Sequence, residues 1–221
     1  MLSKAQEKLI RSLHTKKGRA EAGLLLLEGE KAIHEAGKAV EFTFTAKDST
    51  RFSDLVTTVT PQLVAGIARI PIWTEQDVLR CKTIVVLDHV QDPGNVGTIL
   101  RSALAFGAAV VLVECVDPTN PKVVRSAAGA VFHTPWLELS SQALDGLLAR
   151  AKRVVYRLEN RSGAMPLQKL KREPMILVAG SEGAGITLAI AGKSLVVEQN
   201  PKLESLNVAV ATSIVLYESS T

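Results

Sequence analysis

Residues 83–113 read TIVVLDHVQDPGNVGTILRSALAFGAAVVLV, and their rhythm decides the fold. Ile84-Val85-Val86-Leu87 is a short apolar run rich in β-branched side chains, which marks a buried strand. Pro93-Gly94 makes a turn, and residues 95–106 read as a helix that Gly107 ends. Asn95 is placed to cap that helix. Residues 110–113 are again a buried strand. The alternation continues downstream: helices over 122–128 and 140–151, the latter capped by Ser140 or Ser141, strands over 154–156, 175–179 and 195–197, and a closing helix over 206–217. Strands that are apolar on both faces and alternate with helices predict an α/β fold, a parallel sheet covered by helices on both sides. Ligands of such sheets sit beyond the carboxyl ends of the strands. That rule selects three loops, 88–95, 180–185 and 198–205.

Upstream the pattern differs. Residues 3–14 read as a helix, 23–27 as a short buried strand, and 28–36 as a helix start and its body. Residues 42–45, 56–60 and 62–68 read as strands, marked off by proline or glycine. This predicts a small α/β or α+β unit ending near Trp73, with 75–82 as connector. The domains expected are therefore 1–76 and 83–221.

Composition narrows the class. The chain has 221 residues, 47% hydrophobic and 22% charged, which excludes a disordered chain, a collagen and a disulfide-framework mini-protein. Its apolar runs fall short of the ~18 residues that span a bilayer, and its first residues are too charged for a secretory leader. Two cysteines without CxxC spacing and four scattered histidines offer no zinc-type cluster. A soluble, cytoplasmic protein is expected. The net charge of +4 says little, but its distribution says more. Lys4, Lys8, Arg11, Lys16, Lys17 and Arg19 crowd the first 19 residues, and a second basic run spans Arg150 to Arg172. Either run is equally a solvated helix face; together they point to a polyanion such as RNA.

The loops taken singly stay ambiguous. By spacing alone, Asn95 and Arg101 read as a capped helix carrying a surface arginine. Gly180-Ser181-Glu182-Gly183-Ala184-Gly185 is not a hydrolase elbow, because no histidine follows Ser181. It departs from a dinucleotide loop in glycine order, and it leaves too little chain for a crossover helix. A structural turn, or a turn facing a non-phosphate ligand, remains. Ser205 is a natural helix cap, and Asn207, a poor helix former, sits two residues inside. The helix that follows is apolar nearly all round, which requires burial on every side and suggests a subunit interface.

Taken together the loops resemble the three motifs of the SPOUT superfamily, specifically the SpoU/TrmH-type RNA ribose 2′-O-methyltransferases. Motif one, N-x-G-x-x-x-R, stands as Asn95-Val96-Gly97-Thr98-Ile99-Leu100-Arg101. Motif two, G-x-E-x-x-G, stands as Gly180-Ser181-Glu182-Gly183-Ala184-Gly185. Motif three ends as Ser205-Leu206-Asn207-Val208. The segment Arg125-Ser126-Ala127-Ala128-Gly129-Ala130 also resembles the family, and the resemblance covers residues 83–221. Residues 1–76, with Lys16-Lys17-Gly18-Arg19 and Leu27-Glu28-Gly29-Glu30, look like the family's small RNA substrate-binding domain.

The resemblance implies a C-terminal trefoil knot, a feature otherwise almost absent from proteins. It implies S-adenosylmethionine as cofactor, bound by Gly180, Val197 and Leu206 with Leu203 nearby, and a homodimer through the C-terminal helix. No metal is implied. It assigns catalysis to Arg101, either as base or as a guanidinium that grips the target phosphate and stabilises the forming alkoxide. Because arginine almost never deprotonates, the second role is preferred. Asn95 would orient Arg101 or the ribose, Glu182 would anchor that network, and Ser205 and Asn207 would hold the loop and the target nucleotide. The RNA is expected to be rRNA rather than tRNA. One departure stands out. Val197-Glu198-Gln199 replaces the usual Ile-Pro-Met, which removes a rigid kink and adds charge near the adenosine. That change is the feature favouring an alternative, a non-catalytic RNA-binding or assembly protein with a vestigial cofactor site.

Overall fold

The computed structural model describes residues 1–58 and 62–220. The N-terminal part runs α1 (Lys4–Ser12), α2 (Lys16–Ala22), β1 (Leu24–Glu28), α3 (Glu30–Ala36), β2 (Val40–Thr45), α4 (Phe52–Leu55) and β3 (Val64–Arg69). β3 lies between β1 and β2, antiparallel to both. Leu26, Phe44 and Ile67 from these strands pack with Ile10 and Leu13. The strand expected over 56–60 is not formed at 56–58, and residues 59 and 60 lie outside the described residues. Thr57 and Thr58 instead each donate a backbone N–H and a hydroxyl to the Glu28 carboxylate. A buried carboxylate needs those donors more than the sheet needs another edge.

The expected connector is helical. α5 (Glu75–Arg80) opens with a reciprocal cap between Thr74 and Asp77. Its Val78 is fully buried with Ile84 and Val86, so α5 belongs to the larger layer.

The rest of the chain runs β4 (Thr83–Asp88), α6 (Pro93–Ala105), β5 (Ala108–Val113), α7 (Pro121–Ala127), β6 (Trp136–Glu138), α8 (Ser141–Ala151), β7 (Val154–Leu158), β8 (Met165–Pro166), β9 (Met175–Gly180), β10 (Lys193–Val196) and α9 (Val208–Ser220). Its seven strands pair in parallel in the order β6-β5-β4-β9-β7-β10-β8. All six residues of β4 and of β5 are buried, as a sheet covered on both faces requires. Alternation divides them. Val85, Leu87, Val110 and Leu112 join the core under α6 and α7, while Ile84, Val86 and Val111 join the core under α8.

The first of these cores continues into the N-terminal part through Leu25, Leu27, Ala32 and Ala36. Two ion pairs cross the same seam, the first buried and the second half-buried. Arg19 pairs with Asp117, and also donates from Nε to Thr119 at 3.0 Å and from Nη1 to the Leu13 carbonyl at 2.8 Å. Arg125 donates to Glu28 Oε1 at 2.9 Å. Burial pushes the Glu28 carboxyl up, but the hydrogen bonds from Thr57 and Thr58, with the Arg125 charge, outweigh it and hold Glu28 below the usual carboxylate range.

Candidate functional site

Asp92 caps α6, accepting from the Asn95 backbone at 2.8 Å, with Pro93 in the first helical position. The helix therefore starts before Asn95, and the expectation that Asn95 caps it is corrected. The correction frees the Asn95 side chain. A similar shift occurs at α9. The cap expected at Ser205 is made by Asn207, whose Oδ1 accepts from the backbones of Ala209 at 3.0 Å and Val210 at 3.2 Å. An asparagine is out of place inside a helix but among the best residues just before one.

Asn207 does two jobs at once. Its Nδ2 donates to Asn95 Oδ1 and to Glu182 Oε1, each at 2.8 Å. Asn95 Nδ2 donates to the same Glu182 oxygen at 3.1 Å. Three loops far apart in sequence thus close on one exposed hydrogen-bonded cluster. The Glu182 turn is drawn tight by the Gly185 backbone donating to the Ser181 carbonyl at 2.9 Å. Gly180 permits this, since a Cβ there would lie 2.0 Å from the Gly185 carbonyl oxygen.

The segment leaving that turn has no regular structure and is held by two charged side chains. Asp88, fully buried at the carboxyl end of β4, accepts from the backbones of Thr187 and Leu188, from the Thr187 hydroxyl and from His89 Nδ1. Burial raises the Asp88 pKa, but these donors outweigh it and keep the group below its ordinary value. From β7, Arg157 donates to the carbonyls of Leu188 at 3.3 Å and Ile190 at 2.8 Å. Neither clamp stands out in the sequence as a site residue. The signal was their position, charges at the carboxyl ends of otherwise apolar strands.

Behind the cluster lies a cavity of about 480 Å³, within the ~300–1,000 Å³ range of small-molecule sites. Its wall includes Gly180, Val197 and Leu206 of the expected cofactor set, together with Ser205 and Glu182. Leu203 is exposed and does not line it; its carbonyl accepts from Gln199. Its lining includes the apolar residues Ile186, Leu195, Val197, Leu206 and Val208 and the polar residues Glu159, Asn160 and Arg161. An apolar slot beside a few convergent polar groups suits a nucleoside-based cofactor. Glu198 accepts from Gln168 at 2.9 Å and is not among the lining residues, so its charge lies outside the cavity. The argument for a vestigial site loses its main support.

Arg101 is exposed on α6 and lines no part of the cavity within its own chain. Among the described residues no side chain holds it by a hydrogen bond or an ion pair. The two basic runs are less available than their counts suggest. Arg19 is buried in the seam, Lys16 pairs with Glu138, Arg150 with Glu75 and Arg172 with Glu218, while Arg153 donates to backbone carbonyls of residues 79–82. Lys4 and Lys8 remain exposed. The final helix is not covered on every side as its composition demands. Val210 and Ile214 are exposed one turn apart, and Leu104 is exposed on α6, which α9 packs against through a Ser102–Ser213 hydrogen bond.

Comparison with known proteins agrees with this geometry. The profile of the SpoU rRNA Methylase family matches residues 82–217. The 23S rRNA (guanosine(2553)-2′-O)-methyltransferase RlmP of Bacillus subtilis is 36% identical over 94% of this chain and 92% of its own. An rRNA methyltransferase from Sinorhizobium meliloti, solved with AdoMet bound, superposes with a TM-score of 0.86 at 27% identity, covering 99% of this chain and 96% of its own. The SpoU methyltransferase AviRb of Streptomyces viridochromogenes, at 22% identity and a TM-score of 0.81, shares the fold.

Proposed function

The chain belongs to the SpoU rRNA methylase family, and from that premise we propose how its residues carry out the reaction. It is an S-adenosylmethionine-dependent RNA 2′-O-ribose methyltransferase acting on rRNA. The single observation that carries the residue assignment is the closure of Asn95, Glu182 and Asn207 on one cluster whose Glu182 lines the cavity.

The cofactor, when bound, would supply a methyl group already activated by its cationic sulfur, with the neutral thioether as leaving group. The task left to the protein is the weak acidity of the 2′-hydroxyl. The Arg101 guanidinium grips the target phosphate and stabilises the forming alkoxide, and the proton leaves to solvent. Asn95 and Asn207, fixed by Glu182, orient the ribose through charge-assisted hydrogen bonds. Ser205, exposed at the cavity mouth, holds the target nucleotide. Gly180, Val197 and Leu206, which line the cavity, would hold the cofactor through their backbone groups.

Residues 1–76 form the RNA substrate-binding part, with Lys4 and Lys8 as phosphate contacts. The chain works as a cytoplasmic homodimer through α9, covering Val210, Ile214 and Leu104. Arg101 lies on the same side of α6 as Leu104, three residues on, and so sits at the seam between protomers. The C-terminal segment that carries β10 and α9 is proposed to form the trefoil knot that the family resemblance implies.

The test is transfer of labelled methyl from S-adenosylmethionine to rRNA, with 2′-O-methyl mapping of the product. Transfer to a ribose oxygen supports the reading, and transfer to a base overturns it. Ile214→Glu should yield a monomer by light scattering; an unchanged dimer would place the interface elsewhere. No helix among the described residues is long and apolar enough to cross a membrane.

A further inference from the structure

The loop after β7 carries a charged pair that the reaction above does not use. Arg161 lines the cavity and is the sole lysine or arginine among its lining residues. Its Nε lies 3.2 Å from Glu159 Oε1, and its side chain is 65% exposed. Glu159 is itself held. It accepts from the buried Ser194 hydroxyl and from Arg157, the residue that clamps the segment after Gly185. Burial pushes the Glu159 carboxyl up, but these donors and the two guanidinium charges outweigh it and hold its pKa below the ordinary value. Because Glu159 engages the guanidinium through Nε, the two terminal nitrogens of Arg161 stay available as a planar fork. That fork matches a carboxylate in geometry and charge.

The cavity lining then offers three chemistries. Its apolar residues suit a flat heterocycle. Glu182, the member of the Asn95–Glu182–Asn207 cluster that lines the cavity, ties it to the place where the methyl is to be delivered. Arg161 offers the lining's cation. S-adenosylmethionine has one adenine, one sulfonium and one carboxylate. Resting on the cofactor reading above, we infer that Arg161, positioned by Glu159, binds the α-carboxylate of the cofactor's methionine end and so distinguishes the full cofactor from its nucleoside alone.

The experiment is calorimetric titration of the full-length protein, without RNA, with S-adenosylmethionine and with 5′-deoxy-5′-methylthioadenosine, which lacks the amino-acid end. Arg161→Ala should weaken S-adenosylmethionine binding by about tenfold, as expected for one charged hydrogen-bonding contact at a partly solvated site. It should leave methylthioadenosine binding within about twofold, which also certifies the fold. Arg161→Lys, which keeps the charge but loses the fork, should fall between. Equal weakening of both ligands assigns Arg161 a structural role and overturns the inference. Unchanged S-adenosylmethionine binding in Arg161→Ala overturns it too. Absence of S-adenosylmethionine binding in the unmutated protein would overturn the cofactor reading itself, a result independent of Arg161.

Discussion

Four arginines fall into two pairs that the sequence does not distinguish. Arg19 and Arg125 lie in the seam between the two sheets, paired with Asp117 and Glu28 and packed beside a shared apolar core. Arg101 and Arg161 stand at the other end of the molecule's electrostatics, exposed on α6 and at the cavity rim. Burial decides the difference. A desolvated guanidinium needs its partners permanently, whereas a solvated one can exchange water for a phosphate or carboxylate. Seam arginines are therefore expected to set stability, and the roles proposed for Arg101 and Arg161 are turnover and binding.

The largest expected effect tests the seam. Arg19→Ala leaves Asp117 buried without its partner and should cost about 3–5 kcal/mol in urea unfolding, while turnover per folded molecule persists. A mild loss of stability would break the comparison from that side. Arg101→Ala should do the reverse. Methyl transfer should fall by about 10²–10³-fold, with the unfolding midpoint and cofactor affinity unchanged. Near-normal turnover would remove Arg101 from the reaction.

Asn207 belongs to both categories and sharpens the contrast. Asn207→Ala should lose the α9 cap, about 0.5–2 kcal/mol, together with activity. Asn207→Ser restores a cap oxygen but not the amide donor to Glu182, so stability should return and turnover should not. Equal recovery of both would mean the amide serves the helix alone.

The smallest effect is in pH. Glu28 and Asp88 have native pKa values below their ordinary ones. Their stabilisation is therefore complete above the unfolded-state pKa and is lost as pH falls through the lower native value. Unfolding midpoints should drop on acidification below the ordinary carboxylate range of about pH 4–4.5. Glu28→Gln should make that acid limb shallower; an identical limb would show that Glu28 contributes nothing there.

Much of what the candidate site brings together is legible in the sequence. The three loops were named by the carboxyl-edge rule and by the order of Asn95, Glu182 and Asn207, and the Asn207 anomaly inside a supposed helix was itself a signal. The caps were misplaced by two or three residues, because Asp92 and Asn207 compete with Asn95 and Ser205 as similar side-chain oxygens. The clamps Asp88 and Arg157 were missed, since a charge at the end of an apolar strand looks the same whether it meets water or a crossing backbone.

The sequence by itself determined the alternation of buried strands and helices, and hence a parallel sheet with its ligand at one edge, because side-chain periodicity and apolar run length act locally. Only the tertiary structure decided which polar residues meet. Asn95, Glu182 and Asn207 are joined across as many as 112 residues of chain. Whether a given arginine is structural or available depends on what the rest of the fold excludes from water around it.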